Sequence, residues 1–426
     1  MGTFQNMPPN GTENLLPQKA PIRIEKTINV KLEKNERNPE KEEAIEPPVS
    51  CSCKEVGFGA GDAIFASVLV APLVVGVWRG TWGVMELHPR MFPHAQIYLL
   101  GMLIHACLSV AKTRLFARSA NAWREGGAGR WLRERLLTCC YTYIFILACI
   151  MHWRGGWGLI DSFVDVVLPD CNDPLRPVVI AGYVVTFYIT ITLLRSSRNL
   201  LATPYFLVTD GKEATYMFQT RFRMSSRETA LYILDCVFSV TVVGSLVVFV
   251  WRGSWALLDI FLFPDDPSKS CWTSLIMGYS LVVITFSLQV PMRWAAAKLQ
   301  GAGRLLLVDV YHLVSFLATV NVWRGVWGLL DIYFYPQSPK LSNWSSHVVS
   351  LALLILLNCS NSILVRGVYI DAEEPAGDCV IFPCHYLRLF FHKERSKKRH
   401  KLAMVAAADR KLEEANVPLQ TPEEKV

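Results

Sequence analysis

Residues 250–259 read VWRGSWALLD, and they end a long apolar stretch by placing a cation and two tryptophans where the hydrophobic run stops. The phrase recurs as VWRGTWGVME at 77–86, HWRGGWGLID at 152–161 and VWRGVWGLLD at 322–331. The shared positions are Trp78, Arg79, Gly80, Trp82 and Glu86, then Trp153, Arg154, Gly155, Trp157 and Asp161. They continue as Trp251, Arg252, Gly253, Trp255 and Asp259, and as Trp323, Arg324, Gly325, Trp327 and Asp331. The first tryptophans stand 75, 98 and 72 residues apart, so one unit is written four times.

Working outward from the motif, each copy follows one apolar run and precedes another. Of the 426 residues, 52% are hydrophobic and 19% charged, against about 25% charged in soluble chains. Mean hydropathy is +0.27. A bilayer-crossing helix needs about 20 mostly apolar residues. Eight runs approach that length, at roughly 58–78, 96–113, 135–152, 177–194, 230–250, 272–292, 305–322 and 347–365. The expected fold is an all-α polytopic membrane protein. Its eight transmembrane helices form four parallel two-helix repeats, at about 57–113, 135–194, 229–292 and 304–366, each with its motif in the loop between two helices. Two spans per repeat put all four motifs on one side, unlike the inverted repeats of many transporters.

Charge assigns the sides. The linkers at 112–135, 195–228 and 293–304 hold sixteen Lys and Arg against five Asp and Glu, whereas the segments after the motifs are near balance. Short cytoplasmic loops carry the basic excess, so linkers and both termini are expected in the cytoplasm and the motifs outside. Residues 1–56 are rich in Pro, Glu, Lys and Asn, a composition that cannot bury enough apolar surface to order. They form an expected disordered tail with no apolar core for a cleavable signal. The transmembrane domain spans 57–370, and 371–426 is an expected cytoplasmic basic tail. From Arg388 to Lys401 it carries seven Lys and Arg beside Leu389, Phe390 and Phe391. That composition suits anionic lipid headgroups as well as a solvated topology signal; a membrane-tethered position argues against nucleic acid.

Two readings of the motif follow from its chemistry. Trp and Arg at a span end anchor a helix at the interface, with Gly as a left-handed cap. Alternatively, charge pairing matters. Arg and the acid are seven residues apart in every copy, beyond the three or four at which a helix pairs them. Pairing then needs a break at Gly, or the Arg of one repeat meeting the acid of the next in a closed ring.

Other residues have local readings. Asp62, Asp235 and Asp309 are intramembrane carboxylates, functional by default, but near the cytoplasmic helix ends they also suit caps. His105 and His312 suit packing between helices, and no paired spacing of His or Cys marks a metal site. Cys171 and Cys271 fall in outer loops, where a disulfide between repeats two and three is expected in an oxidising compartment. Cys51, Cys53, Cys379 and Cys384 lie near membrane ends as candidate acylation sites. Asn343 opens an N-x-S sequon on the outer side; the sequon at Asn10 is on the cytoplasmic side. No catalytic residue, cofactor or metal site is expected.

Four WRG-x-W hairpins, eight spans, a polar N-terminus and a basic C-terminal tail together resemble the fuseless family of animal multi-pass membrane proteins, over about residues 57–370. The resemblance implies a presynaptic plasma-membrane protein that supports neurotransmitter release, active-zone organisation and placement of voltage-gated calcium channels. It carries over no catalytic or ligand residues. Two functions are therefore weighed: a non-enzymatic organiser of other membrane proteins, and a channel or transporter whose motif loops form an outer pore mouth. Thr186, Thr190 and Thr192, or Ser239, Thr241 and Ser245, make polar positions but no full-length stripe.

Overall fold

The computed structural model describes residues 53–125, 128–170, 172–210, 220–222, 224, 228–364, 377–384 and 386–387. The expected tails, including residues 388–401 and Asn10, lie outside the described residues save for the few just named. The described residues are helical, without strands. Helix α1 has three parts, Cys53–Ile64, a π-helical Phe65–Val70 and Ala71–Glu86. Next come α2 (His94–Glu125), α3 (Ala128–Val167) and α4 (Arg176–Leu193). Helix α5 is again three-part, Thr229–Phe238, a π-helical Ser239–Val243 and Gly244–Phe261. Helices α6 (Pro267–Lys298), α7 (Gly301–Tyr333) and α8 (Pro339–Leu356) follow.

Seven of these, α1 to α7, are long and apolar enough to cross a membrane. Helix α8 is eighteen residues long, and Lys340, Asn343 and His347 in its first half keep it out of that set. The run expected at 347–365 is therefore shifted: its helix starts at Pro339 and stops at Leu356.

The motifs are not loops. All four lie within continuous helices that run on to Glu86, Val167, Phe261 and Tyr333. Nothing in W-R-G-x-W-[GA] breaks a helix whose other positions are Val, Leu and Ile, because a lone Gly costs only about 1 kcal/mol. What ends α5 and α7 comes later, at Phe263 and Tyr335, both with φ of +50° and both followed by Pro, which cannot continue a helix.

Two layers of helix result. In the best membrane-length window of α1, α3, α5 and α7, 50–56% of residues are buried, against 11–22% in α2, α4 and α6, so the motif helices are the inner layer. Each outer helix packs on the motif helix of the following unit: α2 on α3, α4 on α5, α6 on α7, and α8 back on α1. Outward-facing Leu103, Val185, Leu193, Ile276, Val283 and Val290 are exposed, as apolar residues meeting lipid would be.

Helices α4 and α8 end alike. Arg195 and Asn358 turn left-handed at φ +54° and +58°. Ser196 N–H donates to Ile191 O and Cys359 N–H to Leu354 O, while Arg195 N–H reaches Thr192 O and Asn358 N–H reaches Ile355 O. These are paired Schellman closures. Each is followed by a buried 3-10 turn, Ser197–Leu200 and Ser360–Ile363.

Candidate functional site

Positions i and i+4 lie on one helix face, a turn apart, so two tryptophans per motif make two layers where four helices meet. Trp78 touches Trp153 and Trp323 edge-to-face at 5.2 and 5.5 Å, and Trp251 touches the same two at 5.4 Å each. That closes a ring of four buried indoles. A second closed ring follows: Trp82 meets Trp157 and Trp327 at 5.4 and 5.8 Å, and Trp255 meets them at 5.6 and 6.0 Å. Edge-to-face pairs add about 0.5–1.5 kcal/mol each beyond burial. The interfacial-anchor reading of Trp78, Trp153, Trp251 and Trp323 is thus corrected: they face one another inside the protein.

Around the rings runs a belt of charge. Arg79 Nε donates to Asp331 at 2.7 Å, Arg252 Nε to Asp161 at 2.5 Å and Arg324 Nε to Asp259 at 2.9 Å. Each Arg reaches the acid of the unit before it, with the first reaching the fourth, which is the opposite direction from the expected one. Because seven residues rotate a helix almost two full turns, Arg and acid project from nearby faces, one toward each neighbour along the ring. The second unit departs from the pattern: Arg154 donates to Phe92 O at 3.0 Å, and Glu86 accepts the Trp82 indole N–H at 2.7 Å.

Serines extend the grip. Arg324 Nη2 donates to Ser270 Oγ at 2.7 Å and Nη1 to Ser274 Oγ at 2.8 Å, and Ser270 donates onward to Leu262 O. Arg79 Nη2 donates to Ser342 Oγ at 2.9 Å, and Ser342 donates to Phe334 O. Sequence reasoning missed these serines, although PSKSCW at 267–272 and PKLSNW at 339–344 repeat Ser270 and Ser342 in a shared P-x-x-S-x-W phrase.

The motif glycines make room for the outer helix rather than capping. A Cβ on Gly80 would stand 2.5 Å from Asn343 O, one on Gly155 2.6 Å from His94 O, and one on Gly325 2.8 Å from Leu275 N; one on Gly253 would strike Tyr183 and Val184. Small residues at such contacts let membrane helices approach closely. The same packing overturns two expectations. Asn343 is buried against Gly83 inside α8, leaving no space for a glycan. Cys271 is a free, buried thiol facing Gly328, so it does not form the expected disulfide; Cys171 lies outside the described residues. Cys379 and Cys384 are also buried, which removes them as acylation sites, and Cys51 lies outside the described residues.

Beneath the tryptophans the chain folds back into the bundle. Trp78 Nε1 donates to Ile363 O, Trp251 Nε1 to Leu200 O and Trp323 Nε1 to Thr203 O. Tyr205, fully buried, stacks near Phe286 and Phe382 and bonds Thr285 Oγ1. Asp210 accepts from Ser360 N–H and Oγ and from Asn361 N–H, tying the first inward turn to the second.

The three helix carboxylates hold these returning segments and do not cap their own helices. Asp62 accepts from Leu387 N–H. Asp235 accepts from Thr220 Oγ1 and from the N–H groups of Phe222 and Met224. Asp309 accepts from Ser197 Oγ at 2.9 Å. His312 bridges Ser197 Oγ and Cys379 O, and His105 packs edge-to-face on Phe145. Neither the inward turns nor Asp210 was read from the sequence; the only signal was the matching polar string after two apolar runs, LLRSSRNLL and LLNCSNSIL.

This assembly, an all-helical bundle with several membrane-length helices closed by tandem motifs, is that of a multi-pass membrane protein. The sequence model of the Fuseless family matches residues 59–364, and the chain belongs to that family. No curated protein and no solved structure matches the chain.

Proposed function

We propose that the chain is a non-enzymatic organiser of other membrane proteins at the presynaptic plasma membrane, where it supports calcium-channel placement and transmitter release. In this reading α8 is an eighth span, four parallel two-helix repeats surround one axis, the motifs face outward and both termini are cytoplasmic. Membership of the Fuseless family supports the cellular setting.

The observation that carries the choice of organiser over channel is the closed Trp78–Trp153–Trp251–Trp323 ring, with inward turns packed beneath it. A pore mouth needs open charge rings, whereas three of the motif arginines are spent on acids between helices. The polar span positions offer no lumen either: Thr186, Thr190, Thr241 and Ser245 hydroxyls bond carbonyls four residues back on their own helices.

Two assays test this. Proteoliposomes holding the full chain should show no ion flux above empty vesicles. Neurons lacking the protein should regain presynaptic calcium-channel clusters when it is returned. Flux through wild-type protein that changes ion preference in the Arg79→Gln, Arg154→Gln, Arg252→Gln or Arg324→Gln variants would overturn the organiser.

A further inference from the structure

A cavity of about 180 Å³ sits at the tryptophan rings, lined by all eight motif indoles together with Glu86 and Arg252. Indole faces carry negative potential and attract organic cations, best of all quaternary ammonium groups, which are recognised in aromatic cages. The cage already accepts one cation on an indole: the Arg252 guanidinium lies 5.2 Å from the Trp157 ring centroid. That charge is met by Asp161 at 2.5 Å.

The fourfold pattern breaks at one place, and the break falls on this cavity. Asp161, Asp259 and Asp331 each pair with an arginine of the next unit. Glu86 is in no ion pair among the described residues; it accepts only the Trp82 indole N–H. Its would-be partner Arg154 turns to Phe92 O and does not line the cavity. The longer Glu, where the other units have Asp, reaches back to Trp82 four residues earlier, so its exposed carboxylate stands beside the indoles with Arg154 acting on it only through space and not in an ion pair.

We infer that the eight-tryptophan cavity with Glu86 is a binding site for a quaternary ammonium group, the chemistry shared by free choline-type cations and phosphatidylcholine headgroups. The indoles supply cation–π attraction and Glu86 the counter-charge, while the small volume excludes bulky cations.

The test uses the purified full chain in a maltoside detergent, which has no ammonium headgroup, with tetramethylammonium chloride as probe and sodium chloride as the ionic-strength control. Tryptophan fluorescence should change saturably with tetramethylammonium and not with sodium. Glu86→Gln keeps an acceptor for Trp82 and removes the charge, and Trp327→Phe keeps a ring with a weaker face. Each should weaken the response about tenfold or more, while elution stays as in wild type and unfolding stays a single cooperative transition. Reconstitution separates the sources. A response present in phosphatidylglycerol vesicles and lost in phosphatidylcholine vesicles assigns the site to the lipid headgroup; a response kept in both assigns it to a free cation. No saturable response in detergent, an equal response to sodium, or no weakening in both folded variants overturns the site.

Discussion

Arg79 in the first motif donates to Asp331 in the fourth at 2.7 Å, across 252 positions of chain. The Arg79 side chain is 5% exposed and Asp331 is 52% exposed, so the arginine is held inside and its partner stands at the rim. Breaking a fully buried pair costs about 3–5 kcal/mol, and exposed pairs are worth about 0–1. Arg79→Gln should therefore lower stability by about 1–3 kcal/mol, read as thermal unfolding in detergent. Arg324→Gln, which also loses Ser270 and Ser274, should cost most, and Arg154→Gln, which loses only Phe92 O, least. Equal losses at all positions would show that the belt does not discriminate them.

Helix approach gives a second contrast. Gly80→Val must push α8 off α1, because even a Cβ would stand 2.5 Å from Asn343 O. The variant should be retained inside the cell. Gly57 has open space around it, and Gly57→Ala should alter stability by about 0.5 kcal/mol or less. Normal surface delivery of Gly80→Val would contradict the packing.

Asn343 was legible as a sequon and Cys271 as a loop thiol because linear patterns ignore where a helix begins. Both precede a Trp in P-x-x-S-x-W, both lie in the first turns of an outer helix, and both face a motif glycine. The repeat and the helical class were plain in the four copies of W-R-G-x-W. The pairing between neighbouring units, made in three of four places, was legible only as one option, since a spacing of seven does not reveal whether the partner is on the same helix or a neighbour. The inward turns at 197–200 and 360–363 were hidden, because polar strings after apolar runs read as exposed linkers until a tryptophan N–H is seen to take their carbonyls.

The burial of Asn343 and Cys271 is checked directly. Glycosidase treatment of surface-delivered protein should leave its mobility unchanged by any site at Asn343, so Asn343→Gln should migrate as wild type. Wild-type protein should migrate identically with and without reductant, and Cys271→Ser should match it in both. A glycan lost in Asn343→Gln would mean that α8 begins later than Pro339.

Cys359, just beyond α8, has its thiol pushed up to about 12 by burial, with the nearby Asp210 carboxylate adding to the shift. In the unfolded chain the thiol ionises near its ordinary value of 9.0. The folded state therefore keeps a proton that the unfolded state has lost, and stability falls as pH rises from about 9 toward 12. Below that window Cys359 contributes no pH dependence. Cys359→Ser should flatten this alkaline loss, measured as unfolding midpoint against pH. Maleimide at neutral pH should spare Cys359 in the folded protein.

Most direct is a distance measurement between the ends of the ring. Arg79→Cys and Asp331→Cys are combined in one chain, which is treated with a short thiol-to-thiol cross-linker and then cut by a protease site placed within 211–219. The closed ring predicts that the two fragments remain joined within a single chain, and that Arg79→Cys with Asp259→Cys, which straddle the cut but are not partners, separates. Fragments that separate in both cases, or cross-links that form only between two chains, would contradict a bundle closed from its first motif to its fourth.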